Sequence, residues 1–219
     1  MLNNEVPGNG LLQGKTALIY GAGGSIGGAV ARAFAAEGAF VHLAGRTGSR
    51  LEKVARDIQE DGGRAETAVV DALDEEQVDA FVDRVARKHK RIDISFNLIS
   101  FGDIQQPLME IDVNDFTQPI TLATRTHFIT TRAAATRMIK QRSGVVLMFG
   151  GSGPQTIPGL GGFKVALDAM EAAPPVGAGT GETRHPYCHH GVRRHHRDDP
   201  VADGGTRGDH RGDCQGRPP

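Results

Sequence analysis

The residues of this 219-residue chain with the most obvious chemical capacity are Gly21, Gly23, Gly24, Ser25, Ile26 and Gly27, in the stretch GAGGSIGG. They follow the short apolar run Thr16 to Tyr20 and precede Ile26 to Phe34, whose apolar residues recur at helical spacing. That order predicts strand, tight turn, helix. A Cβ in such a turn blocks positive φ angles and keeps the backbone away from a pyrophosphate, which the helix N-terminus holds with unpaired N–H groups and its positive dipole end. A phosphate-bearing cofactor is the natural ligand, although the same glycines also suit an ordinary structural turn. A second set of reactive side chains, His185, Cys188, His189, His190, His195 and His196, is metal-capable and closely spaced.

The elements that must position the turn are legible from periodicity. Ala39 to Ala44 predicts a second strand, Arg50 to Glu60 a helix, Ala65 to Val70 a third strand, and Glu75 to Lys88 an amphipathic helix with Val78, Phe81, Val82 and Val85 on one side. Ile92 to Ile99 predicts a fourth strand, Val113 to Arg142 an extended helix after its Pro119, and Gly144 to Phe149 a fifth strand. Strands that alternate with helices and are nearly all apolar imply a parallel sheet covered on both faces, with ligands at the carboxyl ends of the strands near the topological switch point. The net charge of −1 points to neither nucleic acid nor an anionic membrane surface. No run of 18 or more apolar residues occurs, and MLNNEVPGNG lacks the pattern of a signal peptide, so a cytoplasmic protein is expected. Both cysteines, Cys188 and Cys214, fall in the last third, which argues against a cysteine nucleophile in the body.

With the glycine turn, Asp71 after the third strand, Asp93 to Asn97 in the fourth, the long helix ending in Met138, the GVVLMF strand and Lys164 in GGFKVALDAM, the chain resembles the short-chain dehydrogenases/reductases from about Gly14 to Glu171. Tyr20 and Ser25 depart from the family's TGxxxGxG. The resemblance implies a Rossmann-type doubly wound parallel sheet in an α/β/α sandwich, truncated after the fifth strand and the start of the next helix. Residues 1–13 are then an extension, 14–172 the dinucleotide-binding domain and 173–219 a tail. An NAD site of this kind needs a carboxylate at the end of the second strand, and an NADP site a cation. Gly45 and Arg46 stand there, which favours NADP over NAD. By resemblance Asp71 contacts the adenine and Asn97 the backbone around the nicotinamide ribose; the alternatives are a strand-end cap and a buried amide satisfying main chain.

The family's hydride chemistry uses a tyrosine, a lysine four residues later, a serine and usually an asparagine. Here those positions hold Leu160, Lys164, Gly151 with Ser152 one place beyond, and Ala123. The resemblance leaves Lys164 as a ribose ligand or a catalytic residue, and Ser152 as a carbonyl donor or a loop hydroxyl. It implies a small carbonyl or alcohol substrate and, for full-length members, a homodimer or homotetramer. Two functions remain open: an NADP(H)-dependent oxidoreductase, and a cofactor-binding pseudoenzyme of the same fold.

From Pro174 the composition changes to nine Gly, seven Arg, six His, six Pro and five Asp, with three Val as the only aliphatic side chains larger than Ala. Such a segment does not bury enough apolar surface to offset its ordering entropy. If the codons of Ala173 to Gly191 are read one base later, they can encode RRQLARELGKHGIRTVTTG, which continues the preceding helix and resembles the family's next helix and strand. A frame-shifted C-terminus is therefore expected, and no metal site.

Overall fold

The computed structural model describes residues 10–102, 104–150 and 159–172. In order the elements are β1 (Thr16–Tyr20), α1 (Ser25–Ala36), β2 (Phe40–Gly45), α2 (Gly48–Glu60), β3 (Arg64–Val69), α3 (Glu75–His89), β4 (Ile94–Asn97), α4 (Val113–Gln141), β5 (Val145–Met148) and α5 (Gly161–Glu171). The strands pair in parallel in the order β3-β2-β1-β4-β5, so the chain reverses its direction of winding between β1 and β4. This is the doubly wound Rossmann-type α/β fold that the periodicity and resemblance imply. The tail from 173 onward lies outside the described residues.

β1 shows why the sheet must be covered twice. All five of its residues are buried, and because a strand points successive side chains to opposite faces, Leu18 and Tyr20 enter one core while Ala17 and Ile19 enter another. Leu18 and Tyr20 pack with Phe81, Val82 and Val85 of α3 and with Ile129, Ala134 and Met138 of α4. On the opposite face, Ala17 and Ile19 pack with Ala31 and Ala35 of α1 and with Leu51, Val54 and Ile58 of α2.

Capping residues set where the helices begin. The Asp74 carboxylate accepts from the Gln77 N–H at 3.1 Å, and the Asp112 carboxylate accepts from both Asn114 and Asp115 N–H. Pro119 lies inside α4, which begins six residues earlier than Pro119, at Val113; the ring is buried within the helix and does not delay it. β3, at the edge of the sheet, buries only Ala65 and Ala68. β4 is shorter than its apolar run: the Asn97 side chain accepts the Ile99 N–H at 3.0 Å and turns the chain off the sheet.

Two buried histidines make the fold sensitive to acid. His42, 4% exposed, stacks on Phe40 with its Nε2 unpartnered, and burial followed by the neighbouring His89 lowers its pKa to about 4. Burial alone lowers His127 on α4 to about 4. A folded pKa below the unfolded one favours the neutral form, so this stability is fully present above the unfolded pKa, ordinarily 6.5, and is lost as pH falls through about 4. Thermal melting between neutral pH and that lower limit should show a progressive loss on the order of 2–3 kcal/mol per histidine. His42→Phe should remove part of the pH dependence; an unchanged slope would assign the loss to other groups.

Candidate cofactor and active site

The glycine turn leaves β1 at the switch point and supports an open cleft of about 170 Å³. Gly21 has φ +73°, and its N–H donates to the Ala44 carbonyl at 2.9 Å, anchoring the turn to the end of β2. A Cβ on Gly21 would lie 2.4 Å from the Leu98 carbonyl oxygen, and one on Gly27 would lie 2.3 Å from the Gly21 carbonyl oxygen. Both positions therefore exclude a side chain, by backbone conformation at Gly21 and by the closeness of helix and turn at Gly27. α1 starts at Ser25 without a side-chain cap or an acidic residue in its first turn, so its positive end is not neutralised from within.

Gly21, Gly23 and Gly24 line the cleft, whereas Ser25 opens α1 on the exposed side and Gly27 is buried beneath the turn. Gly45, Arg46, Thr47 and Arg50 form its wall at the end of β2, and Asp71, Ala72 and Leu73 the wall after β3. Arg46 and Arg50 are exposed and have no ion pair among the described residues. Arg32 on the neighbouring helix is held by Asp57 at 2.7 Å. Arg50, in the first turn of α2, lines the same cleft as Arg46, which precedes the helix.

The bonding of Asp71 and Asn97 follows their structural alternatives while both side chains stay at cavity walls. Asp71 Oδ1 accepts from the Leu73 N–H at 3.0 Å, an Asx turn that closes the loop after β3. Asn97, 7% exposed, donates from Nδ2 to Thr126 Oγ1 and to Thr130 Oγ1, each at 3.3 Å, and accepts from Ile99 N–H. Thr126 and Thr130 carry no motif of their own and join the site only through this contact with β4.

A second cavity of about 180 Å³ lies past the ends of β4 and β5 and shares Ile99, Ser100 and Thr126 with the cleft. Ile26, Asn97 and Ala123 line it. Lys164 lines neither cavity; its ammonium pairs with Asp168 one turn further along α5, and its N–H donates to the Leu160 carbonyl at 2.8 Å. Ser152 and Gly151 lie outside the described residues, as does the histidine cluster of the tail. Tyr20 is 1% exposed beneath Phe81, and burial pushes its phenol well above the ordinary range, so it offers no proton to either cavity. Among the described residues no group of three or more His, Cys, Asp or Glu is placed to hold a metal ion, and no helix is long and apolar enough to cross a membrane.

The family profile described as short chain dehydrogenase matches residues 15–157, and the chain belongs to that family. It is 33% identical over 132 residues to the (5R,7aS)-5-hydroxy-7a-methyl-1-oxo-2,3,5,6,7,7a-hexahydro-1H-indene-carboxyl-CoA reductase of Mycobacterium tuberculosis, covering 59% of this chain and 50% of that protein. The chain spans about half the length of the curated relatives it matches. An NAD+-bound xylitol dehydrogenase superposes with a TM-score of 0.70 at 29% identity, over 74% of this chain and 63% of that one. A metagenomic short-chain oxidoreductase in complex with NADP superposes with a TM-score of 0.67 at 26% identity, over 74% and 73% of the two chains.

Gly27→Ala should lower the melting temperature, at a cost on the order of 2 kcal/mol or more, because the methyl group meets backbone that has no room to retreat. Gly24→Ala, whose Cβ would sit 3.3 Å from the Gly21 carbonyl oxygen, should fold with a much smaller loss. Differential scanning calorimetry of the two variants checks the ranking; equal losses would place the constraint elsewhere.

Proposed function

We propose that the chain is an NADP(H)-dependent oxidoreductase of the short-chain dehydrogenase type, acting on a carbonyl or alcohol substrate. The observation that carries this reading is the cleft at the switch point, with bare glycine backbone at its floor and the unpaired Arg46 at its lip. The pyrophosphate would lie against Gly21, Gly23 and Gly24 at the open end of α1, where N–H groups and dipole both favour an anion. Gly45 supplies no carboxylate for a ribose 2′-hydroxyl, while the Arg46 guanidinium suits a 2′-phosphate through paired charge-assisted hydrogen bonds. Asp71 would accept from the adenine, and Asn97 would hold the Ile99–Ser100 backbone against the nicotinamide ribose. When bound, the cofactor supplies the hydride. NADP-bound and NAD+-bound structures both occur among the similar folds, so the argument for NADP rests on Gly45 and Arg46.

Removing one charge-assisted contact costs on the order of 1.5–3 kcal/mol. Arg46→Ala should therefore weaken NADPH binding ten-fold or more, by isothermal titration calorimetry of the full chain, and leave NADH nearly unchanged. An equal loss for both cofactors would overturn the assignment.

A second reading, cofactor binding without hydride transfer, is favoured by a separate observation. Leu160 occupies the position of the phenol, Tyr20 is sealed in the core, and the Lys164 ammonium is engaged by Asp168. Lys164→Ala should then change neither cofactor affinity nor any turnover appreciably, since the ammonium lines neither cavity and, among the described residues, no phenol lies beside it. Rapid oxidation of NADPH by the parent chain with simple ketones, followed by the loss of reduced-nicotinamide absorbance, would reject this second reading.

A further inference from the structure

We infer that the end of the molecule remote from the glycine-turn cleft is a docking face for an anionic phospholipid bilayer, held there by cations at the carboxyl ends of α3 and α4. The inference is independent of the cofactor reading, because the cleft lies at the carboxyl ends of the strands and this face at their amino ends.

Two basic stretches meet there. Residues 84–91 read RVARKHKR and residues 137–143 read RMIKQRS, and neither contains an Asp or Glu. α3 and α4 are tied together by the Glu75–Arg132 and Asp83–Arg137 ion pairs. Beyond Arg137 the Gln141 side-chain carbonyl accepts from the Ile92 N–H at 3.2 Å, which joins the end of α4 to the segment that leaves α3. The carboxylates bonded to these stretches are each matched: Glu66 holds Lys88, Asp83 holds Arg137, and Asp93 holds Arg91 and Lys15. Arg87, Lys90, Lys140 and Arg142 are left over, exposed and without an ion pair among the described residues. The net charge of −1 is an average over the chain and conceals this concentration at one end.

Cations in the last turn of a helix complement its dipole, so Arg87, Lys88 and Lys140 have a local explanation. Lys90 and Arg142 do not. Each sits one place past its helix in the left-handed region, at φ 61° and φ 52°, where glycine is the usual residue because it carries no strain. Neither side chain makes an ion pair among the described residues that would offset that strain within the fold. Two long cations held at one exposed end, in a conformation that suits glycine, are accounted for by a partner outside the fold. The composition of the face selects among anionic partners. Ile139, in the last turn of α4, is 59% exposed beside Lys140, an aliphatic side chain that a bilayer interface buries and a phosphate backbone does not. Neither stretch contains a Phe, Tyr or Trp to stack on bases or to anchor a protein partner. Lys and Arg stems need no matched pocket at a lipid surface, and each such cation strengthens attachment to anionic lipid roughly five-fold.

The test is co-sedimentation of the full chain with vesicles of phosphatidylcholine alone and of phosphatidylcholine mixed with phosphatidylserine, across a range of salt. Binding to the mixed vesicles should be about ten-fold tighter or more, and should weaken as salt screens the exposed cations. The double variant Lys90→Gly, Arg142→Gly should melt at or above the parent's temperature, because glycine relaxes both positions, and yet bind the mixed vesicles about ten-fold more weakly or worse. Arg87→Gln with Lys140→Gln, which removes two charges and asks nothing new of the backbone, should weaken binding to a similar degree, and Ile139→Ser should weaken it further. Equal binding to the two kinds of vesicle, or unchanged binding by both double variants, would overturn the inference. Tighter binding to a duplex oligonucleotide or to polyglutamate than to the mixed vesicles would also overturn it, by giving the face to a nucleic acid or to an acidic protein.

Discussion

The Gly21 carbonyl oxygen and the backbone of Gly27 are so close that a Cβ on Gly27 would sit 2.3 Å from that oxygen, and the site depends on this contact. It places the first turn of α1 directly against the end of β1, while the Gly21 N–H ties the same turn to Ala44 in β2. The open end of the helix is thereby aimed at the gap between β1 and β4, where parallel winding reverses and no helix crosses the strand ends. A looser turn would leave the sheet intact but direct the N–H groups elsewhere.

Much of this was legible in the sequence. The five strands and their helices follow from apolar runs and 3.6-residue spacing, because β1 is buried on both faces and α2 and α3 each bury one stripe. The glycine turn was legible for the same reason that it works, since backbone contacts this close tolerate few residue types. Where expectation and structure part, side chains compete with the ladder. Ile92 to Ile99 reads as one strand, yet Asn97 captures the Ile99 N–H and ends β4 early. β3 reads as a covered strand, yet only Ala65 and Ala68 are buried, because it lies at the edge of the described sheet.

The candidate site was less legible than the fold because its remaining parts are assembled from distant segments. Phe101, Phe149 and Phe163 meet only once β4, β5 and α5 are in place, and no spacing rule links them. The pairing of Lys164 with Asp168 is a local four-residue relation that the sequence does contain, but that Lys164 lines neither cavity shows only in three dimensions. Arg50 likewise joins Arg46 at the cleft from the first turn of α2 rather than by motif. The cleft has bare glycine backbone and, at Arg46, a guanidinium with no ion pair among the described residues, whereas Leu160 and Ala123 carry no titratable group.

The central claim is that the cleft is built for a dinucleotide bearing a 2′-phosphate. The most direct measurement is calorimetric titration of the full chain with adenosine 2′,5′-bisphosphate and, in parallel, with adenosine 5′-monophosphate, which differ by the one phosphate that the proposal assigns to Arg46. The account predicts binding of the bisphosphate at least ten-fold tighter, with an advantage that shrinks as salt screens the exposed guanidinium. Equal affinity for the two nucleotides, or no binding of either, would contradict it.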